Sequence, residues 1–331
     1  MIRADLVVSE DSHVGRARRL AAAAAQRAGL PSAQVHRVAL AATELATNLI
    51  KHATRGVFTA VIAPDRLDLL AADRGPGIGR IDQSMRDGFS TTGTLGTGLG
   101  AIRRAADDFD IYSMTGRGTV LLARWRTGRP PPPGLRIGAA RLTAPGETAC
   151  GDMWAVATGD GTVTVGLSDG LGHGEAAATA SQLAVDTLAS HAGLRPARIL
   201  GAMQTALTRT RGATVAVAQF ATGEGRLRFC GIGNISARGY ARPGAPAQRL
   251  LSRPGIVGAA NAGSPPDTVD SWSARSWLLL HTDGVSDRWS IEESPGLLSR
   301  DPAVVAAWIL GQYGRGRDDA CVLAVTGDGA R

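Results

Sequence analysis

A single lysine, Lys51, stands among 36 basic residues, so almost all of the positive charge is arginine. That scarcity excludes a Walker-type phosphate loop, which needs Gly-Lys-Ser/Thr, and any nucleotide must be held in another way. Cysteine is also sparse: Cys150, Cys230 and Cys321 are far apart, odd in number and without metal-type spacing. This pattern excludes a disulfide framework and a zinc site, and it fits reduced thiols in the interior. No apolar run is long enough to span a bilayer, and Met1-Ile2-Arg3-Ala4-Asp5 lacks a signal-peptide apolar region. The expected location is cytoplasmic, with no membrane partner. The net charge of +7 has no basic block behind it: 17 basic residues face 12 acidic ones up to Thr127, and 19 face 17 afterwards. No nucleic-acid partner is expected.

The remaining composition, 44% apolar and 20% charged over 331 residues, is that of a globular chain long enough for two cores. One stretch divides it: Thr127-Gly128-Arg129-Pro130-Pro131-Pro132-Pro133-Gly134. Four consecutive prolines supply no backbone donors and favour an extended spacer over any helix or sheet interior. The expected organisation is a first domain over 1–127, a linker over 128–135 and a second domain over 136–331.

In the first half, 4–8 read as a strand and 13–28 as an alanine-rich helix. Pro31-Ser32 opens a second helix reaching about His52, with Val38, Ala42, Leu45 and Leu49 as its buried stripe. Glu44 and Asn48 lie beside that stripe at i, i+4, one turn apart on a single face. Two strands follow, over 57–62 and 66–72. Next comes Asp73-Arg74-Gly75-Pro76-Gly77-Ile78-Gly79, and later Leu95-Gly96-Thr97-Gly98-Leu99-Gly100, which opens a helix from about Ala101. Glycines let backbone approach a ligand closely, and the helix N-terminus behind them favours phosphate. Gly116-Arg117-Gly118-Thr119 precedes a closing strand.

This order of motifs resembles the Bergerat nucleotide fold of the GHKL ATPase and kinase superfamily. Glu44-Leu45-Ala46-Thr47-Asn48, the Asp73 loop, Asp87-Gly88-Phe89-Ser90-Thr91 and Asp107-Asp108-Phe109-Asp110-Ile111 are similar to the anti-sigma-factor serine kinases, in their RsbT-type branch. The resemblance implies ATP and Mg²⁺ as cofactors, with Glu44 as general base and Asn48 as metal ligand. It puts the adenine amino group on Asp73 with Thr119 nearby, Gly75 and Gly77 shaping that loop, and Gly96, Thr97, Gly98, Leu99 and Gly100 around the phosphates. Such a set suffices for phosphoryl transfer, which asks mainly for positioning and charge neutralisation. A two-component histidine kinase is disfavoured, because no helix pair with a phospho-acceptor histidine precedes this domain.

In the second half, strands are expected over 162–167, 213–220, 226–231, 277–281 and 320–326, and helices over 175–191 and 196–208. Aspartates recur at strand ends: Asp152, Asp169, Asp283, Asp318 and Asp319. One such residue is ordinarily a turn former. Convergent carboxylates about 4 Å apart repel by roughly 4 kcal/mol at an effective dielectric near 20, so a cluster calls for divalent cations. Oxygen-only ligation points to Mg²⁺ or Mn²⁺. No Cys-x₅-Arg loop is present for a thiol mechanism.

Gly151-Asp152, Ser168-Asp169-Gly170, Gly231-Ile232-Gly233-Asn234, Thr282-Asp283-Gly284 and Arg317-Asp318-Asp319 resemble, in this order, the PPM (protein phosphatase 2C) family in its SpoIIE branch, most nearly the compact RsbX type. The resemblance implies two ions bridged by Asp169, the catalytic centre. Asp152 and the Gly170 carbonyl would serve one ion, Asp283 with Asp318 the other, and Asp319 would stand close by among the metal residues. Met153-Trp154 replaces a further acidic residue common in that family, which argues against a third ion. Arg141 is placed against substrate phosphate by position alone, and His173 is read as a cap or solvent-facing residue.

The expected fold is therefore α/β, an N-terminal Bergerat (GHKL) α/β sandwich followed by a PPM-type αββα sandwich. The expected function is a bifunctional switch regulator that phosphorylates and dephosphorylates Ser/Thr on a STAS-domain antagonist of the stressosome kind. The alternative is a phosphatase whose first domain only binds ATP and a partner.

Overall fold

The computed structural model describes residues 2–53, 56–79, 81, 98–259 and 265–329. The chain divides into two compact units, Met1–Pro131 and Pro132–Arg331, and the proline run falls at the division.

The N-terminal unit contains β1 (Ile2–Val8), α1 (Ser12–Arg27), α2 (Ser32–His52), β2 (Gly56–Ala63), β3 (Arg66–Asp73), α3 (Gly98–Ala105), β4 (Asp108–Met114) and β5 (Gly118–Arg126). The five strands form one sheet in the order β1-β2-β3-β5-β4, antiparallel throughout. Pro64 and Asp65 make the two-residue turn between β2 and β3, whose ends pair as Ala63 and Arg66. One face of the sheet, through Phe58, Leu67, Leu69 and Leu121, packs on the helices. Val38, Ala42, Leu45 and Leu49 of α2 are all nearly sealed from solvent there. That burial fixes the rotation of α2, which turns Glu44 and Asn48 to the half-buried edge.

The C-terminal unit contains β6 (Leu135–Leu142), β7 (Asp152–Gly159), β8 (Thr162–Gly170), α4 (Glu175–Ser190), α5 (Pro196–Ala206), β9 (Ala213–Ala221), β10 (Arg226–Ile232), β11 (Ser236–Tyr240), β12 (Gln248–Arg249), β13 (Thr268–Ser271), β14 (Trp277–His281), α6 (Pro302–Tyr313) and β15 (Ala320–Gly327). Its strands form two five-stranded sheets, β13-β10-β9-β8-β7 and β12-β11-β14-β15-β6. Inner residues of both sheets, among them Val165, Leu167, Phe220, Leu280 and Leu323, make a shared core. A second core, with Leu188, Ile199, Met203, Val215 and Val217, joins α4 and α5 to the first sheet. Helix α6 covers the second sheet so closely that a Cβ on Gly138 of β6 would lie 2.1 Å from the Ala303 nitrogen. The resulting layers are helix, sheet, sheet, helix, in agreement with the expected αββα sandwich.

Three local differences from the sequence reading have physical causes. Helix α3 begins at Gly98 rather than Ala101, so the last glycines of the phosphate-type turn are already helical. Strand β8 continues through Asp169 and Gly170, because β7 and β9 pair with it to its end: Asp152 faces Asp169, and Gly170 faces Ala213. Helix α6 was not anticipated, since Pro302–Leu310 is apolar on every side and shows no amphipathic contrast. Among the described residues, no helix is long and apolar enough to cross a membrane.

Candidate functional site

Each unit gathers one group of polar residues from segments distant in sequence. In the N-terminal unit, a Cβ on Gly98 would sit 3.2 Å from Glu44 Oε2 and 3.7 Å from Asn48 Oδ1. The first turn of α3 therefore brings bare backbone against both polar residues of α2, with no side chain between them. Leu99 is half-buried and Gly100 buried behind that contact. Gly96, Thr97 and the Asp87-Gly88-Phe89-Ser90-Thr91 motif lie outside the described residues.

Asp73 ends β3, and its Oδ1 accepts the Gly75 amide at 2.7 Å. Burial pushes this carboxyl above its ordinary value, and backbone hydrogen bonds from Gly75 and Thr119, with the charge of His52, act against the rise. Close backbone packing explains the glycines around it. A Cβ on Gly75 would meet the His52 carbonyl at 2.4 Å, one on Gly77 (φ +75°) the Met114 carbonyl at 2.2 Å, and one on Gly118 (φ +120°) the Asp73 carbonyl at 2.0 Å. Thr119 is buried, and its Oγ1 lies 2.9 Å from Ser113 Oγ. Ser113 also accepts the Ile78 amide at 2.7 Å, tying β4 to the Asp73 loop. Ser113 carries no signal in the sequence, where it is an ordinary polar residue of a strand.

In the C-terminal unit the carboxylates come from both sheets. Asp152 and Asp169 oppose each other across β7 and β8; Asp283 follows β14, and Asp318 and Asp319 precede β15. Asp152 is 1% exposed, and its Oδ2 accepts the Thr282 hydroxyl at 2.6 Å, a bond that crosses from one sheet to the other. Thr282 Oγ1 in turn accepts the Cys321 amide at 2.9 Å. Asp319 uses Oδ1 for the Ala144 amide at 2.7 Å and Oδ2 for the Gly151 amide at 2.6 Å, so it pins the segment that carries Asp152. Asp318 Oδ1 accepts the Asp319 amide at 2.9 Å, and Asp283 Oδ2 accepts the Asn234 side-chain amide at 2.9 Å. Gly170 leaves no room for a side chain, a Cβ there falling 2.2 Å from the Ala177 carbonyl.

The electrostatics follow from this crowding. The Asp169 carboxyl is pushed up to about 7, first by burial and then by the charges of Asp283, Asp318 and Asp319. Asp152 is raised well above its ordinary value, by burial and then by Asp169, with the Thr282 hydroxyl opposing the shift. Among the described residues, no three His, Cys, Asp or Glu side chains close into a ready cation cage. The donor chemistry nevertheless fits hard divalent ions: five carboxylates and the Gly170 carbonyl, with the Asp152 and Asp169 carboxyls raised first by burial and then by neighbouring negative charge that a cation would offset.

Surrounding groups hold the carboxylates in place. Arg141, half-buried, donates to the Asp152 carbonyl at 3.0 Å. Past Asp283, the buried Arg238 clamps the chain by donating to the Trp289 carbonyl at 2.7 Å and to the Asp287 carbonyl and carboxylate at 2.6 Å each. Its guanidinium also stacks 4.1 Å from the Trp289 ring centre. His173 is not only a solvent-facing residue: its Nδ1 is 2.6 Å from Glu147 Oε1. Thr282 and Asn234 belonged to motifs read in the sequence, while their bonds to Asp152 and Asp283 depend on the two sheets meeting.

Comparison with known proteins gives a family for each unit. Residues 7–125 match the family model described as histidine kinase-like ATPase domain, and 159–327 match that of Stage II sporulation protein E (SpoIIE). The serine/threonine-protein kinase RsbT of Bacillus subtilis (strain 168) is 38% identical over 114 residues, which cover 33% of this chain and 86% of that protein. A chain from a structure described as the bacterial stressosome, a modular system adapted to control secondary messenger signaling, is 26% identical with a TM-score of 0.53, covering 58% of this chain and 98% of that one. RsbX in complex with magnesium shares the fold at 18% identity and a TM-score of 0.51, covering 60% of this chain and 98% of that one.

Proposed function

The chain belongs to the Stage II sporulation protein E family and joins its PPM-type phosphatase domain to a kinase-like ATPase domain homologous to RsbT; from that premise we propose a bifunctional switch regulator. Its N-terminal unit phosphorylates, and its C-terminal unit dephosphorylates, Ser/Thr on a STAS-domain antagonist protein. The relation to a serine/threonine-protein kinase supports a protein Ser/Thr as the acceptor, and the STAS class follows from the resemblance of the sequence motifs to the anti-sigma-factor kinases.

In the kinase step, Asp73 beside Thr119 would hold the adenine amino group of ATP, and the backbone of Gly98 to Gly100 would face its phosphates. Asn48 holds Mg²⁺. Glu44 takes the proton of the substrate hydroxyl as its oxygen attacks the γ-phosphorus and ADP leaves. The closeness of the Gly98 backbone to Glu44 and Asn48 supports this assignment, since base, metal ligand and phosphate turn must meet at one phosphoryl group.

In the phosphatase step, two ions, Mn²⁺ or Mg²⁺, would supply charge neutralisation and a water acidic enough to attack at neutral pH. Asp169 would bridge them, Asp152 and the Gly170 carbonyl would hold one, and Asp283 with Asp318 the other. Asp319 keeps the Asp152 segment in register through its two amide bonds. The observation that carries this reading is the convergence of Asp152, Asp169, Asp283, Asp318 and Asp319 from the ends of both sheets, where burial and then the charges of three of them push the Asp169 carboxyl up to about 7. Such charge density is costly in an empty site and useful in a loaded one. Because both domains reside on one chain, their stoichiometry is one to one, and the target's phosphorylation follows their relative activity rather than their relative abundance.

The test is the intact mass of a STAS protein incubated with ATP, Mg²⁺ and the Asp169→Asn variant. Gain of one phosphate, reversed by wild-type protein and Mn²⁺ after ATP removal, is the expected result. No gain despite measured ATP binding would leave the N-terminal unit as a binding module; Glu44→Ala should abolish transfer and retain ATP.

A further inference from the structure

The link between β10 and β11 is three residues long, and it carries the chain from the first sheet of the C-terminal unit to the second. Its first residue, Gly233, has φ +108° and packs so closely that a Cβ would fall 2.2 Å from the Thr214 Cβ. Thr214 is the cross-strand partner of Asp169. The Gly233 amide donates to the Arg253 carbonyl at 2.8 Å, which fixes this end of the link. The next residue, Asn234, reaches the opposite way and donates from Nδ2 to Asp283 Oδ2 at 2.9 Å. The crossover thus braces the strand pair bearing Asp169 against the loop bearing Asp283.

Resting on the metal-phosphatase reading, we propose that Asn234 is a positioning residue that orients the Asp283 carboxylate for its cation. Asp283 is exposed, at the start of a loop whose far end Arg238 clamps. Among the described residues, Asn234 is the one group hydrogen-bonded to its side chain: Oδ2 is taken by Asn234, and Oδ1 accepts no hydrogen bond. One carboxylate oxygen is thereby fixed and the other left for a ligand. An amide suits the task, because it donates to the carboxylate without bringing a positive charge that would repel the cation. Without it, the side chain's rotational freedom must be lost on each binding event, and affinity falls for want of preorganisation.

The test uses the full chain and titration calorimetry with Mn²⁺ alone, on wild type, Asn234→Ala, Asn234→Gln and Asp169→Asn. Loss of one hydrogen bond to a charged group predicts about ten-fold weaker Mn²⁺ binding by Asn234→Ala. Asn234→Gln, which keeps a donor, should recover most of the loss. Thermal unfolding in EDTA should be the same for wild type and Asn234→Ala, which a merely structural role would not allow. At saturating Mn²⁺, kcat should fall by much less than the affinity. Equal Mn²⁺ affinity in wild type and Asn234→Ala overturns the inference, as does a lowered unfolding temperature in EDTA that accounts for the weaker binding. If wild type binds no Mn²⁺, or Asp169→Asn binds it equally well, the metal reading itself fails and takes the inference with it.

Discussion

In the metal-free protein, replacing Asp169 by asparagine should stabilise the fold at neutral pH and not at acid pH. The carboxyl moves from an ordinary value of 3.8 up to about 7 on folding, so the folded chain holds this proton more tightly than the unfolded one. Below the unfolded value both states are protonated and the group costs nothing. As pH rises through the interval, only the unfolded chain releases the proton, and stability is lost until the folded value is passed. About three pH units at 1.36 kcal/mol each set a ceiling near 4 kcal/mol, which water reaching the half-buried site should lower to roughly 2. Asparagine keeps the shape and does not titrate, so Asp169→Asn should gain on wild type by about that amount between pH ~4.5 and pH ~8. Urea unfolding in EDTA followed by tryptophan fluorescence reads the correct unit, since Trp154, Trp272, Trp277, Trp289 and Trp308 lie in it and only Trp125 does not. Excess Mn²⁺ should reverse the order, because wild type then gains the binding free energy. A stability difference independent of pH, or a variant less stable than wild type at pH ~8, would refute the reasoning.

Gly118→Ala, whose Cβ would fall 2.0 Å from the Asp73 carbonyl, should destabilise the N-terminal unit by about 3 kcal/mol or more, whereas Gly116→Ala, at φ +78° in open space, should cost only about 1; thermal unfolding of the two variants compares them. Thr282→Val removes the donor to the buried Asp152 carboxylate and the hydroxyl that accepts the Cys321 amide, so it should cost about 2–3 kcal/mol and raise the Mn²⁺ concentration needed for activity, while Thr282→Ser should restore most of both. Equal urea midpoints for the valine and serine variants would contradict this. Burial pushes the Cys150 and Cys230 thiols up to about 12, and Cys321 is fully buried; native protein at pH ~8 should react with a thiol reagent far more slowly than protein in denaturant, and three rapidly titrated thiols would overturn the assignment. Asp301→Ala loses the cap on the Ala303 amide at 2.9 Å and the ion pair with Arg136 at 3.1 Å, and a loss of about 1–2 kcal/mol is expected in urea unfolding.

Much of the fold was legible because local pattern and tertiary demand agreed. The apolar stripe of α2 is buried as its spacing requires, and it places Glu44 and Asn48 together on the half-buried edge beside it. Helix α6 and the strands β6 and β11 were not legible, since a helix apolar on every side from Pro302 to Leu310 and strands rich in Gly and Ala have no period that distinguishes them from other buried segments. The candidate residues were legible as motifs: aspartates at strand ends and glycines where backbone must come close. Their partners were not. Ser113 beside Thr119, Glu147 beside His173, Thr282 against Asp152 and Asn234 against Asp283 each join positions six to 130 residues apart.

By itself the sequence determined which groups exist and how each is presented locally: a carboxylate and an amide one helical turn apart, glycines free of Cβ, and aspartates placed where strands end. Those are properties of neighbouring residues, set by backbone geometry and side-chain volume. Only the tertiary structure decided that Gly98 lies against Glu44, that Asp152 and Asp169 face one another, and that Asp283, Asp318 and Asp319 come near enough to raise the Asp169 carboxyl. Burial and charge repulsion depend on distance through space, and here that distance is set by two sheets closing on a common core.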